Sequence, residues 1–246
     1  PQEVVVAASG LIGDSVSQGD GTVRLTYYSG ATRDFALALS PDYHVVSETV
    51  GETTINSYYL SGDEESGQEA LQYAADSVKV YNEHFGPYPY TELDVVETHF
   101  TVQGSPGGME FPGLVIVSSE LYHGFFQKEL DTVVAHEVAH QWWYGVVGNN
   151  QVDEPWLDES FATYSSIIYY EFVQGKEAAQ NQLMLQAEIP YGLMAVSGLD
   201  APVDSPLLDF DNPLQYQAII YSKGTLFLNE LRQTVGDEAF FNILQS

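Results

Sequence analysis

The spacing of apolar residues changes from strand-like to helix-like near residue 61, and that change restricts the chain to folds that place strands before helices. EVVVAAS (Glu3 to Ser9), TVRLTYY (Thr22 to Tyr28), RDFALAL (Arg33 to Leu39), YHVVSETV (Tyr43 to Val50) and TTINSYYL (Thr53 to Leu60) are short, rich in Val, Thr and Tyr, and separated by Gly, Asp, Ser and Pro. Such segments pair as antiparallel strands. SGDEESGQEA follows from Ser61 as an acidic connector or helix start. Leu71, Ala74, Ala75, Val78, Tyr81 and Phe85 then recur at helical spacing until Gly86-Pro87. ELDVVETHF (Glu92 to Phe100) and GLVIVSS (Gly113 to Ser119) read as further strands joined by a glycine-rich turn, GSPGGMEFPG, that begins at Gly104. From about Gln127 the pattern is helical. One helix is expected to carry His136 to His140, a second to follow Pro155, a third to cover Lys176 to Glu188 and a fourth to cover Tyr216 to Thr234, with Gly224 as its weak point. A last helix opens at Asp237. The class is α+β, with residues 1–60 as the end of a β domain and residues 61–246 as a second domain.

Of 246 residues 44% are hydrophobic, enough for a real core, yet no apolar run is long enough to cross a bilayer. Seven Lys and Arg against 35 Asp and Glu leave a net charge of −28, which excludes nucleic acid as a partner. An extracellular or cell-envelope setting is expected from that acidity, although an ordinary acidic surface would look the same. With no cysteine, disulfides and thiolate metal sites are excluded. The start, PQEVVVAASG, has neither Met nor a leader pattern, and the last helix has no stop signal, so both ends are expected to be truncations.

Only six histidines occur, and two of them, His136 and His140, stand four apart around Glu137 in HEVAH. On a helix residues i and i+4 share a face, so both imidazoles can converge on one ion. A glutamate beside them suits metal-assisted peptide hydrolysis, which needs a carboxylate near the attacking water that is not itself a ligand. Catalytic zinc usually takes three protein ligands. The other four histidines, His44, His84, His99 and His123, all lie upstream without partners at ligand spacing and are read as structural or surface residues. WLDESFATY on the next helix offers Glu159, after 18 residues from His140.

HExxH, 18 residues, then Glu within W-L-x-E-x-F-A resembles the zinc aminopeptidases of the aminopeptidase N family, gluzincins with a thermolysin-like catalytic domain. The resemblance runs from about residue 40 to the end and is strong from Gly107 to Gly224. It implies a small sheet plus a mainly helical half, and one zinc ion bound by His136, His140 and Glu159, with Glu137 as general base. GGMEFPG is similar to the family's G-x-M-E-N turn at Gly107, Met109 and Glu110, with Gly108 between them and Phe111 in place of the usual Asn. By that resemblance Glu110 binds the free α-amino group of a peptide substrate, and an anionic group there favours a cationic amine over a continuing chain. YSKG resembles the family's Y-x-K-G stretch, which makes Tyr221 the phenol donor to the developing oxyanion and Tyr216 a supporting residue. Trp142 and Trp143 are expected to pack behind the histidine helix, and Asp153 or Asp158 to orient an imidazole. Peptides with a free N-terminus are the implied substrates. A gluzincin endopeptidase needs no amine-binding Glu110, and a non-catalytic peptide-binding relative would lack a ligand or the base.

Overall fold

The alternation of the first sixty residues becomes six strands in the computed structural model, which describes residues 4–102 and 105–246. Glu3, at the head of the first expected strand, and Gly104, at the head of the glycine-rich turn, lie outside the described residues. The chain divides into two compact units, the first made of residues through Val78 and Pro89–Gln141, the second of Lys79–Tyr88 and Trp142–Ser246. Among the described residues no helix is long and apolar enough to cross a membrane.

In the first unit β1 (Val5–Ala8) pairs antiparallel with β4 (Leu37–Ser40), and β2 (Leu11–Ser17) with β3 (Val23–Tyr28). The strand expected over 33–39 forms only from Leu37. β2 has no clear sequence signal because it is exposed along its whole length and broken at Gly13. Gly13 lets the Tyr28 ring of the paired strand lie over the backbone: a Cβ would fall 2.0 Å from a ring carbon, and the exposed ring would have to move aside.

A five-stranded sheet of order β5-β6-β7-β9-β8 holds the core of this unit, from β5 (Tyr43–Val50), β6 (Thr53–Leu60), β7 (Glu92–Thr98), β8 (Gly108–Phe111) and β9 (Leu114–Ser118). β5 and β6 form a hairpin, while β6, β7 and β9 run parallel. β7 is buried continuously from Leu93 to Glu97, as a central parallel strand covered on both faces should be. Leu93, Val95 and Val96 are fully buried, each worth about 2 kcal/mol of apolar transfer. The boundary expected at residue 60 falls between β6 and α1 (Glu64–Phe85), and strands from both sides of it share this sheet. α1 buries Leu71, Ala74, Ala75, Val78, Tyr81 and Phe85, the face read from the sequence, together with Ala70.

The glycine-rich segment is more than a turn. Residues 108–111 add β8 as an antiparallel edge strand on β9, with Glu110 opposite Val115 and Met109 opposite Ile116. Four residues with two glycines nearby are too short for a visible period of two. α2 (Leu130–Ala139) follows a 3₁₀ segment, Gly124–Glu129, and ends on His140.

The second unit is helical, with α3 (Trp156–Val173), α4 (Lys176–Leu183), α5 (Ile189–Val196), α6 (Pro213–Tyr216), α7 (Gly224–Val235) and α8 (Asp237–Leu244). α5 was not expected, and neither the third nor the fourth expected helix is regular throughout: Met184–Glu188 and Gln217–Lys223 are π-helical. Pro190 accounts for the first interruption. It has no N–H for the carbonyl of Gln186, four residues back, and its ring would crowd that oxygen. The Gln186 carbonyl instead accepts a 2.8 Å hydrogen bond from Ser222 Oγ on the second π segment. Gly224 is a close approach rather than a weak point, since a Cβ there would lie 1.9 Å from Ser160 Oγ on α3. Trp142 and Trp143 are buried, and their indole N–H groups donate to Gly86 O and Ser165 Oγ.

Candidate active site

α2 extends its helical hydrogen bonding to its end, where the His140 N–H donates to the carbonyl of His136, so the two side chains share a face. Their Nε2 atoms are 3.1 Å apart, and His140 is 1% exposed. Two nitrogens bound to one tetrahedral zinc at 2.0–2.1 Å stand roughly 3.3 Å apart, so this pair has the spacing of shared ligands. Glu137, next in the helix, is also buried.

β8 lies directly on that helix. A Cβ at Gly108 would come within 2.4 Å of Glu137 Cγ and Cδ, so only glycine admits the contact. Alternation along the strand puts Glu110 on the same face as Gly108, and Glu110 is 8% exposed. Gly107 anchors the start of the strand by accepting the Ser118 N–H at 2.9 Å. Phe111, on the opposite face with Met109, packs its ring on the cluster of Ala7, Tyr43, Val96 and Leu114. The position where the resemblance expects Asn thus turns into the core. The first unit therefore brings His136, Glu137 and His140 together with the strand that carries Gly108 to Glu110, which Gly107 leads into.

In the second unit Glu159 sits in the first turn of α3, where its N–H donates to Asp158 Oδ1, and Asp158 is 1% exposed. Asp153 instead accepts from the Asn150 side chain in an exposed turn. Tyr221 lies on the π segment with its ring 5.8 Å from that of Tyr216, edge to face, and Tyr216 in turn contacts Phe210 at 5.4 Å. Lys223 donates to Asp200 Oδ1 and to the Ala201 carbonyl, and that hydrogen bond holds the exposed Asp200 carboxyl below the usual range. The remaining histidines have structural partners, with His84 packed against Phe172 and Phe241, His44 on Ser61, His99 on Ser119 and His123 on Asp63. Gln141, which the sequence reading passed over, is fully buried behind the β8–β9 turn.

The peptidase family M1 domain matches residues 69–246. The chain belongs to peptidase family M1. Among M1 relatives, aminopeptidase 2 of Candida albicans is 28% identical over 213 residues, which cover 81% of this chain and 22% of that protein. The alanine/arginine aminopeptidase of Saccharomyces cerevisiae is 30% identical over 200 residues, 76% of this chain and 22% of the relative. Aminopeptidase B of Rattus norvegicus is 32% identical over 170 residues, 64% of this chain and 24% of its own length. The chain thus spans about a fifth to a quarter of these M1 proteins. A solved M1 zinc metallopeptidase from Deinococcus radiodurans matches 99% of this chain and 53% of its own with a TM-score of 0.71 and 23% identity, which establishes the fold as that of M1 metallopeptidases.

Proposed function

We propose that this chain is the catalytic part of a zinc aminopeptidase that removes the first residue of peptides with a free N-terminus. One observation carries the reading: the strand bearing Glu110 lies against Glu137, the glutamate between the paired histidines. M1 membership and relatives named as aminopeptidases support it. His136, His140 and Glu159 each offer one ligand atom, and two imidazoles with one carboxylate form the donor set of catalytic zinc. When bound there, one zinc ion supplies Lewis acidity at the scissile carbonyl and at the attacking water.

The other groups divide the remaining work. Glu137 takes a proton from the water as its oxygen bonds to the carbonyl carbon, then passes that proton to the amine that leaves when the C–N bond breaks. Tyr221 donates its phenol hydrogen to the oxygen on which negative charge develops, and Tyr216 holds its ring edge. Glu110 holds the substrate ammonium, and the backbone of Gly107 leads into the strand that Gly108 and Met109 open ahead of it. Anchoring the amine fixes which peptide bond is presented for attack.

Hydrolysis of one short peptide in two forms, free and N-acetylated, tests the reading on the 246-residue chain with zinc added. Release of the first residue from the free form alone is expected. Cleavage of both forms would make the chain an endopeptidase, and cleavage of neither would overturn catalysis by this chain.

A further inference from the structure

Both polar groups of the Gln141 side chain are used, in opposite senses, on the backbone of one turn. Its Nε2 donates to Phe111 O at 3.1 Å, and its Oε1 accepts from Gly113 N–H at 2.8 Å. The side chain is 0% exposed, so neither bond has water as a ready substitute. Pro112-Gly113 joins β8 to β9 with Gly113 at φ +74°, the residue types and sign of φ that suit a type II turn. Such turns splay hairpin strands instead of following their twist, and the N–H of the third residue points away from the hairpin. Gln141 satisfies that N–H and bridges the turn. The Gly113 carbonyl is tied as well, accepting from Asp94 N–H on β7 at 3.0 Å.

We infer that Gln141 is a positioning residue that holds the amine-binding carboxylate in register with the histidine helix. It is one peptide bond from His140, and the Phe111 carbonyl that it grips is one residue from Glu110. β8 is thereby pinned at both ends, by Gly108 packed on Glu137 and by the turn clamped to Gln141, with Glu110 between. The clamp sets where the substrate ammonium rests relative to the bond attacked, and so selects removal of a single terminal residue. This inference rests on the aminopeptidase reading above.

The test compares wild type with Gln141→Met, which removes both hydrogen bonds at similar volume, and Gln141→Glu, which keeps the acceptor for Gly113 N–H but faces the Phe111 carbonyl with an anion. Equilibrium binding of leucinamide and of N-acetyl-leucinamide is measured alongside zinc content and KM and kcat for a free peptide. Wild type is expected to prefer the free amine, and both variants to lose that preference by at least about tenfold, mainly through KM, with zinc content unchanged. Variants that fold and keep the wild-type preference, or that lose activity through kcat or zinc alone, overturn the clamp while leaving the aminopeptidase reading intact. A wild type that binds both ligands equally overturns both. Hydrogen exchange at the Gly113 amide of the wild-type chain adds a check independent of variant folding: slow exchange is expected, and fast exchange overturns the clamp.

Discussion

Gly108 shows how much one missing side chain can decide. A methyl group there would overlap the Glu137 carboxyl carbon, so Gly108→Ala has to push aside either β8 or the proposed base. The expected result is a fall in kcat/KM of at least about 100-fold with zinc still bound, because a displacement near 1 Å is enough to lose alignment. Wild-type kcat in that variant would remove Glu137 from the reaction. Glu137→Gln should lower kcat by about 10²–10⁴-fold and retain the metal, as loss of a general base does; full activity with zinc bound would contradict its role. At this scale the proposed ligands His136, His140 and Glu159 and the proposed base Glu137 were legible as candidates from residue type and spacing, and Glu110 as a candidate from the likeness of its turn to the family motif. Gln141 was not, since a glutamine after HExxH carries no signal until the turn that it grips, some thirty residues upstream in sequence, is folded against it.

A side-chain hydroxyl links the two π segments of the second unit. Ser222 Oγ donates to the Gln186 carbonyl, which Pro190 leaves without its helical donor, and Ser160 Oγ donates to Ile220 O within the segment that carries Tyr221. Ser222→Ala leaves the Gln186 oxygen without that donor and should cost about 1–2 kcal/mol, read as a lower urea midpoint at unchanged slope. Gly224→Ala forces a methyl into Ser160 and should cost about 1–3 kcal/mol, with part of the loss recovered in the double variant Gly224→Ala, Ser160→Gly. Recovery of nothing would mean that the strain lies elsewhere. Sequence alone suggested one unbroken helix over Tyr216 to Thr234, because a π turn inserts a residue without changing the apolar composition on which the reading depends. The short strand β8 and the exposed strand β2 escaped for the related reason that neither is long or alternating enough to show a period.

On the scale of the whole molecule, the interior of the first unit makes stability depend on pH. Burial raises the Asp94 carboxyl from 3.8 to about 7, against the opposing hydrogen bond from Asn56, and burial raises Glu97 from 4.5 to about 7. Between pH 4 and pH 7 the folded chain therefore keeps protons that the unfolded chain has released. Stability from these two groups is fullest at low pH and declines as the pH rises through about 7. Urea unfolding at pH 5 and pH 8 should show the lower midpoint at pH 8, and Asp94→Asn should shrink the difference; a midpoint independent of pH would contradict the assignment. Chelation should lower Tm and abolish hydrolysis, with both restored by added zinc, since an ion that binds only the folded state stabilises it. The sequence by itself determined the order of strands before helices, the membership signalled by its motifs and the identity of the groups offered to a metal, because these depend on local periodicity, residue chemistry and fixed spacing. Only the tertiary structure decided that Gly108 admits β8 onto Glu137, that Phe111 turns into the core and that Gln141 clamps the turn behind Glu110. Those outcomes depend on segments distant in sequence coming within hydrogen-bonding or van der Waals reach, a property that no single segment carries.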